Sequence, residues 1–364
     1  MTAFAYELAS VLAAQMRARP GDPAGAYCMP WYLVLGEPGS GRSSAIRAIN
    51  LSWPYGDGPL QLNAPTSLCS YWLPEKAVFI EPGPQVTGPE RNPGMLQALC
   101  TELKEKRPRE PLDGIVLVLS SITLADLDDR DEAELARLAR TYRAYLSEIY
   151  AYLDAEVPIY VVLTAYDTLW GFGDSFQWTL NRKDEEPWGF VLPVAQEPAG
   201  AQARIAQEME GVRARIESVC FAKLSTEDPP DARARAFQHM AEMRSLLAKV
   251  GQLLHAITMV NSFERTPWVR SLVVGSAIPG TGDRLRYMAH EFAQMSLFAP
   301  AQSRTPQPGG LPVHGLLDRT LWPERDIVPL RSRWRDDGLI VVMFIVGLLA
   351  WLGAIGSAVV FALI

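Results

Sequence analysis

The sequence predicts an α/β protein in which a doubly wound, mostly parallel β-sheet is covered by helices. Two observations predict this fold class. Short runs of consecutive apolar residues alternate along the chain with longer amphipathic segments, which is the pattern of repeated βαβ units. The apolar runs are continuous and do not alternate with polar residues, as expected of parallel strands that are buried on both faces.

The first strand, predicted at 31–35, leads into the most informative motif of the chain. The eight residues that follow are Gly36-Glu37-Pro38-Gly39-Ser40-Gly41-Arg42-Ser43. This is the spacing of a P-loop, G-x-x-x-x-G-K-[ST], with Arg42 in the lysine position. Glycines allow the backbone N–H groups to point inward, and the helix behind the loop adds its positive dipole end. The candidate phosphate-binding residues are Gly36, Gly39, Gly41, Arg42, Ser43 and Ser44. The alternative is an ordinary Gly/Pro turn.

Two later strand ends supply the other candidate residues, because ligands of such sheets bind beyond the carboxyl ends of the strands. Glu81 ends a strand at 77–81 and, together with Ser43, would support the Mg²⁺ ion of bound GTP or ATP. Thr164 and Asp167 follow a strand at 158–163, where Asp167 would accept hydrogen bonds from a guanine base. The alternatives are a solvated acid at Glu81 and a helix N-cap at Asp167.

Four positions depart from a working nucleotide site. Arg42 is planar and fork-shaped where the P-loop lysine is a compact charge. Glu81 replaces the usual aspartate, Pro84 has no N–H to offer a γ-phosphate, and Ala165 lacks the lysine stem that packs on a base. At about one to a few kcal/mol each, these changes predict an affinity lowered from micromolar to millimolar or worse. The expected cofactor is therefore GTP or ATP with Mg²⁺, or none.

The remaining elements follow in chain order. We predict an amphipathic helix at 3–16, further helices at 43–49, 93–106 and 131–155, and a buried strand at 114–119. From about 198 to 263 the chain is predicted to form two or three helices, broken at Pro229-Pro230. A strand at 269–275 and a helix at 283–297 then return the chain to the sheet.

The segment 338–364 contains no charged residue and is predicted to be a transmembrane helix. At 1.5 Å per residue it would be about 40 Å long, which exceeds the hydrocarbon core of a bilayer. Arg331, Arg333 and Arg335 precede it, so the positive-inside rule places the preceding chain in the cytoplasm. We expect no signal peptide, because the apolar segment 3–16 carries Glu7 and lacks a basic start.

Composition excludes several classes of function. The formal charge of −7 argues against a basic nucleic-acid surface. The four cysteines form no C-x-x-C pair and are expected to be buried thiols in a reducing compartment. The four histidines are scattered without zinc-type spacing, so metal catalysis by protein ligands is not expected.

Together these patterns divide the chain into six segments. They are an N-terminal amphipathic helix (1–26), a P-loop NTPase-like domain (27–195), a helical insertion (196–266), a return to the α/β domain (267–298), a linker and juxtamembrane segment (299–337) and the transmembrane helix (338–364).

Several short segments occur in a recognisable order. They are 30–41, Cys69-Ser70-Tyr71-Trp72, Pro111-Leu112-Asp113-Gly114, Leu124-Ala125-Asp126-Leu127, Trp188-Gly189-Phe190, and 279–285. In this order they resemble the cytoplasmic part of the IcmF/TssM family, inner-membrane scaffold proteins of bacterial type VI secretion systems. The resemblance implies a P-loop GTPase-like fold, a bacterial inner-membrane location, and partners among inner-membrane and baseplate proteins, including an IcmH/DotU-like protein.

The resemblance also shows departures. Family members carry two membrane helices before the P-loop and a large periplasmic region after a third, whereas this sequence has neither. They usually have Lys at the Arg42 position and Thr-Lys-x-Asp at 164–167. The leading expectation is a single-pass scaffold with a degenerate nucleotide site and no catalysis. The alternatives are a working GTP- or ATP-dependent switch and a non-functional remnant.

Overall fold

A computed structural model of the protein describes residues 3–49, 51–56, 58–62, 68–127, 132–176, 188–194, 198–225, 229–275 and 319–328. Its helices are α1 (Ala3–Ala18), α2 (Arg42–Ala48), α3 (Met95–Lys106), α4 (Ser121–Asp126), α5 (Glu132–Leu153), α6 (Phe172–Phe176), α7 (Pro198–Leu224) and α8 (Pro230–Ile257). Its strands are β1 (Trp31–Leu35), β2 (Cys69–Trp72), β3 (Val78–Pro82), β4 (Gly114–Ser120), β5 (Pro158–Thr164), β6 (Gly189–Val191) and β7 (Trp268–Val274).

The seven strands form one mixed, mostly parallel sheet in the order β2-β3-β1-β4-β5-β7-β6. The five inner strands are mutually parallel, and β2 and β6 lie antiparallel at the two edges. The predicted α/β sheet is confirmed. The two edge strands were not predicted, because four and three residues are too short to show a hydrophobic period.

Alternate side chains of the strands enter two separate cores. One face packs against α1, α3, α5 and α8 and carries Trp31, Leu33 and Leu35 of β1. The opposite face carries Tyr32 and Val34 of β1 and packs against α2. Every residue of β1 is therefore buried, which explains why its sequence is apolar throughout.

A buried polar cluster fixes the start of β1 to the start of β4. The Asp113 carboxylate accepts a hydrogen bond from the Trp31 backbone N–H at 2.7 Å and from Arg107 Nη1 at 3.1 Å. A Cβ at Gly114 would lie 2.7 Å from the Tyr160 ring and 2.9 Å from the Tyr32 ring. The Asp-Gly pair at 113–114 thus has a packing role: the carboxylate joins two strands, and the glycine admits two tyrosines.

The helices α7 and α8 form an antiparallel pair that is separated at Pro229, as the sequence predicted. Helix α8 also packs against α5 and α6, and its apolar residues belong to the same core as the sheet. The division of the chain into the six predicted segments stays a prediction.

Residues 319–328 lie in the segment predicted as linker and juxtamembrane chain, but they pack against the sheet. Tyr32 Oη donates a hydrogen bond to the Leu321 carbonyl, and Leu321 is fully buried. The Glu324 carboxylate accepts hydrogen bonds from Arg270 at 2.5 and 3.0 Å and from Tyr160 Oη at 3.1 Å. These partners lie near the amino ends of β1, β5 and β7, so the segment crosses that edge of the sheet.

Among the residues that the structure describes, no helix combines the length and the hydropathy needed to cross a bilayer. The predicted transmembrane helix at 338–364, the predicted helix at 283–297 and most of the predicted linker lie outside the described residues.

Candidate functional site

The glycine-rich loop lies at the carboxyl edge of the sheet, between β1 and α2, as predicted. Gly39 and Gly41 adopt φ values of 81° and 84°, which favour glycine. A Cβ at Gly36 would lie 2.6 Å from both Ser40 Oγ and the Val118 carbonyl oxygen. The loop therefore curls closely over β4, and the glycine at position 36 is required by the close approach of neighbouring atoms.

Arg42 opens helix α2, and its side chain turns towards the end of β3. Arg42 Nη1 donates a hydrogen bond of 2.9 Å to the Pro82 carbonyl, and Nε lies 3.4 Å from Glu81 Oε1. The Arg42 and Glu81 side chains are only 10% and 11% exposed. The cation that replaces the P-loop lysine is thus largely buried and paired with a carboxylate of the protein itself.

Ser43 and Glu81, the two residues predicted to support Mg²⁺, are brought together. Ser43 Oγ lies 3.1 and 3.0 Å from the two carboxylate oxygens and donates to them. Trp72 Nε1 donates a further hydrogen bond to Glu81 at 3.1 Å. In this arrangement the Glu81 carboxylate is engaged by three side chains of the protein itself, those of Arg42, Ser43 and Trp72.

Thr164 lies directly beneath the glycine-rich loop. Its Oγ1 donates to the Ser40 carbonyl at 2.6 Å and lies 3.1 Å from the Leu119 carbonyl. Ser40 is 3% exposed, and its own hydroxyl has no hydrogen-bond partner within the described chain. Thr164 therefore fixes the loop to the ends of β4 and β5, a structural role that needs no ligand.

Asp167 lies three residues beyond the end of β5, in a single 3-10 turn at Tyr166–Thr168, and is half-buried. The turn begins at Ala165, which has a φ of 56°, a conformation that is uncommon for a residue other than glycine. Thr168 Oγ1 donates to the Ala165 carbonyl at 2.7 Å and closes the turn. Asp167 thus lies at the predicted edge of the sheet, and its role in binding a base stays a prediction.

The segment after β3 satisfies its own backbone groups. The N–H of Gly83 donates to the Leu68 carbonyl at 2.8 Å, and the N–H groups of Val86 and Thr87 donate to the Gly83 carbonyl at 2.9 and 3.1 Å. Pro84 has no N–H to offer. The backbone N–H groups of Gly83, Val86 and Thr87 are therefore already engaged within the protein.

A cleft of about 320 Å³ opens beside the loop, between Gly36–Pro38, the segment after β3 and helix α5. Glu37, Tyr142 and Tyr145 contribute to its walls. Burial raises the pKa of Glu37, an effect that the nearby Arg137 opposes. The cleft lies next to the glycine-rich loop and carries one acid, Glu37, whose ionised form is disfavoured by desolvation.

Two residues of this site were not among the predicted ones. Trp72 holds Glu81 from the edge strand β2, and the Pro82 carbonyl holds Arg42. The aromatic pair at 71–72 was visible in the sequence, but its contact with Glu81 depends on the antiparallel pairing of β2 with β3. In the part of the chain that the structure describes, no cluster of three or more His, Cys, Asp or Glu side chains could hold a metal ion.

Comparison with known proteins identifies the family. The family model described as the IcmF-related N-terminal domain matches residues 89–349. The chain belongs to this family. The matched range begins after the glycine-rich loop and Glu81, and includes Thr164 and Asp167. Family membership therefore rests on the chain downstream of the P-loop-like motif.

A curated relative is the type VI secretion system component TssM1 of Pseudomonas aeruginosa, which is 29% identical over 257 residues. The alignment covers 68% of this chain and 23% of the relative, so this chain spans about a quarter of that protein's length. A solved structure described as the SsGBP and GDP complex matches with 18% identity and a TM-score of 0.23 over 44% of this chain and 41% of the other. A likeness of that size carries no structural argument.

Proposed function

We propose that this protein is a membrane-anchored scaffold component of a type VI secretion system whose cytoplasmic domain has lost most nucleotide chemistry. Membership of the IcmF-related family and the similarity to TssM1 support the place in secretion. One observation carries the loss of nucleotide chemistry. The guanidinium of Arg42, which occupies the position of the P-loop lysine, is largely buried and pairs with Glu81, so its charge is already matched within the protein.

The strand order supports a P-loop GTPase-like origin of the domain. In the sheet β1 lies between β3 and β4, and the later strands continue on the β4 side, so the glycine-rich loop lies at a switch point of the topology. Ligands of doubly wound sheets bind at such points. The glycine-rich loop is retained while Arg42 and Glu81 are paired with each other. This combination fits a domain that keeps the fold in order to dock other proteins.

The partners that we propose are inner-membrane and baseplate proteins, among them an IcmH/DotU-like protein, together with the lipid bilayer. We place the protein in the bacterial inner membrane with one predicted helix at 338–364 and the bulk of the chain in the cytoplasm. A pull-down of the full chain with an IcmH/DotU-like protein tests this docking role. Absence of any interaction would count against the scaffold.

The first experiment is a titration of the full chain in nanodiscs with GTP and ATP analogues, with and without Mg²⁺. We expect no binding up to millimolar concentration. Micromolar, Mg²⁺-dependent binding that Ser43→Ala abolishes would overturn the degenerate site and favour a nucleotide-dependent switch. The contact between Ser43 and Glu81 is the observation that keeps this second function worth testing.

A further inference from the structure

A short turn between α8 and β7 presents three apolar side chains to solvent. Met259 is 58% exposed, Val260 is 54% exposed and Phe263 is 95% exposed. We call these three side chains the apolar tip. Phe263 is the most exposed large hydrophobic residue in the described part of the chain. Clustered apolar exposure of this kind marks an interaction site, because such a surface is unfavourable in water.

The turn that carries the apolar tip is held by hydrogen bonds. The N–H of Phe263 donates to Asn261 Oδ1 at 3.0 Å, and Asn261 forms a β-bridge with Glu264. Arg143 of α5 donates to the carbonyls of Ile257 and Met259 at 2.6 and 2.7 Å. The exposure of Phe263 therefore belongs to a defined conformation that is fixed from α5.

The charges at the base of the turn are paired with one another. Glu264 lies 3.2 Å from Arg143 Nε and accepts a hydrogen bond from Ser147 at 3.1 Å. Arg265 Nη2 donates to Asp154 at 2.8 Å. The tip can thus enter an apolar environment without carrying an unpaired charge with it. Nothing in this arrangement favours an acidic or a basic partner.

The position of the turn indicates which apolar environment the tip enters, a lipid bilayer or the surface of another protein. The turn immediately precedes β7 and so lies at the amino edge of the sheet, opposite the glycine-rich loop. Residues 319–328 cross the same edge, where Glu324 binds Arg270 of β7. From Val328 to the uncharged segment that starts at 338, the chain spans at most about 35 Å. If that segment crosses the bilayer, the amino edge of the sheet is held close to the membrane surface.

We propose that the apolar tip inserts into the interfacial region of the lipid bilayer and orients the cytoplasmic domain, with the glycine-rich loop facing away from the membrane. This inference rests on the membrane anchoring in the proposed function. The insertion is driven by apolar burial, so it should be insensitive to salt and should not require anionic lipid. A depth of about 5–10 Å below the headgroups is expected for an interfacial apolar contact.

The test places an environment-sensitive nitrobenzoxadiazole label on the full chain reconstituted in phosphatidylcholine vesicles. The label is attached at Val260→Cys, with Phe263 intact, or at Phe263→Cys. The native Cys28, Cys69, Cys100 and Cys220 are all buried, so labelling is selective. The matched control is Phe237→Cys, because Phe237 is 48% exposed and lies twenty residues before Ile257 on α8, about 30 Å away.

We expect a lipid carrying a shallow nitroxide to quench both tip labels and aqueous iodide to quench neither, with the opposite result for the control. Adding Phe263→Ser to the Val260→Cys chain should abolish lipid quenching. Absence of lipid quenching at both tip positions overturns the proposal. Protection from iodide without lipid quenching also overturns it, since a protein surface would then cover the tip.

Anchoring is measured separately by extraction of the vesicles at alkaline pH. A chain that resists extraction but shows no quenching of the tip labels refutes the insertion alone. A chain that is extracted at alkaline pH, yet shows lipid quenching of the tip labels at neutral pH, refutes the transmembrane helix and leaves the insertion standing.

Discussion

At the scale of single residues, Glu81 has the largest influence on the candidate site. Its carboxylate accepts hydrogen bonds from Ser43 and Trp72 and pairs with the Arg42 guanidinium. A largely buried carboxylate with three partners links them in one network, and each partner depends on it. Glu81 therefore acts as a structural residue that joins β3, β2 and the start of α2.

Replacing Glu81 tests this role. Glu81→Ala should lower the free energy of unfolding by about 2–4 kcal/mol, because it leaves a largely buried Arg42 without its carboxylate. The measurement is urea denaturation of the full chain in detergent. The double variant Arg42→Ala/Glu81→Ala should cost less than the sum of the single changes. If the losses of unfolding free energy were additive, the two side chains would not interact. The control is Glu75→Ala, which replaces an exposed glutamate.

His239 is a second residue with a measurable consequence. It is fully buried, its Nδ1 lies 2.9 Å from the Trp170 carbonyl, and its Nε2 lies 3.2 Å from Tyr166 Oη. Burial lowers the pKa of His239 to about 4, although the Trp170 carbonyl and the Asp174 carboxylate oppose the shift. The imidazole is thus neutral in the folded protein at physiological pH.

This pKa predicts a loss of stability in acid. Below a pH of about 6.5 the unfolded chain takes up a proton at His239, whereas the folded protein does so only near pH 4. The free energy of unfolding should therefore fall by about 3 kcal/mol between these values on account of this group, and stay constant above them. In the His239→Gln variant this dependence of the free energy of unfolding on pH should vanish. The His255→Gln variant, in which an exposed histidine is replaced, should retain it. Equal slopes in both variants would contradict the assignment.

At the scale of elements, the docking of α8 on the segment after β5 depends on one glycine. Gly171 has a φ of 75°, and a Cβ there would lie 2.2 Å from the Arg235 carbonyl oxygen on α8. Arg235 also holds Asp174 of α6 through two hydrogen bonds of 2.7 and 3.1 Å. The long helix therefore approaches the backbone at Gly171 too closely for any side chain.

The two glycines on either side of Phe172 should respond in opposite ways to alanine. Gly171→Ala should lower the free energy of unfolding by about 3 kcal/mol or more, because both the φ value and the contact with Arg235 are unfavourable for a side chain. Gly173→Ala, in α6 with open space around it, should be stabilising by about 0.5–1 kcal/mol. Thermal unfolding of both variants provides the measurement, and a tolerated Gly171→Ala would disprove the close approach.

At the scale of the whole molecule, the side of the sheet where the parallel strands end and the side where they begin carry different features. The carboxyl edge carries the glycine-rich loop, Glu81 and Thr164, and the amino edge carries the segment 319–328 and the apolar tip. The segment at 319–328 reaches across β1, β5 and β7 from more than forty residues beyond the last strand. It ties the chain that leads towards the predicted membrane helix to the middle of the sheet.

Glu324 should be the residue on which this attachment depends most. The Arg270 side chain is 1% exposed, and its charge is matched by Glu324. Glu324→Ala should cost about 3–5 kcal/mol and make residues 319–328 sensitive to limited proteolysis, because it leaves a buried cation unpaired. Asp326→Ala, whose side chain is 82% exposed, should change stability by less than about 0.5 kcal/mol. Equal resistance of the Glu324→Ala and Asp326→Ala chains to protease would refute this attachment.

Much of the fold was predictable because its signals are local. The strands β1, β4 and β5 are unbroken apolar runs, and α2, α3 and α5 follow from helical spacing within a few residues of the predicted bounds. The break between α7 and α8 follows from the prolines at 229–230. The edge strands β2 and β6 were missed because pairing with a neighbour defines them more than their own sequence does.

The sequence predicted where the candidate site lies, but it predicted only some of the contacts between its side chains. The motif at 36–43 places the loop, and strand ends place Glu81 and Thr164 at the same edge of the sheet. That Glu81 binds Arg42 could not be predicted, since the two residues are 39 positions apart and meet only through the pairing of β1 with β3. The same reason explains why Trp72 was not recognised.

The sequence by itself determined the class of fold, the place of the glycine-rich loop and the family resemblance, because each depends on short patterns that the backbone expresses locally. Only the tertiary structure decided that Arg42 is paired with Glu81, that residues 319–328 return to the sheet, and that Phe263 is exposed. These properties arise from contacts between residues that are distant in sequence, and such contacts leave no local signal.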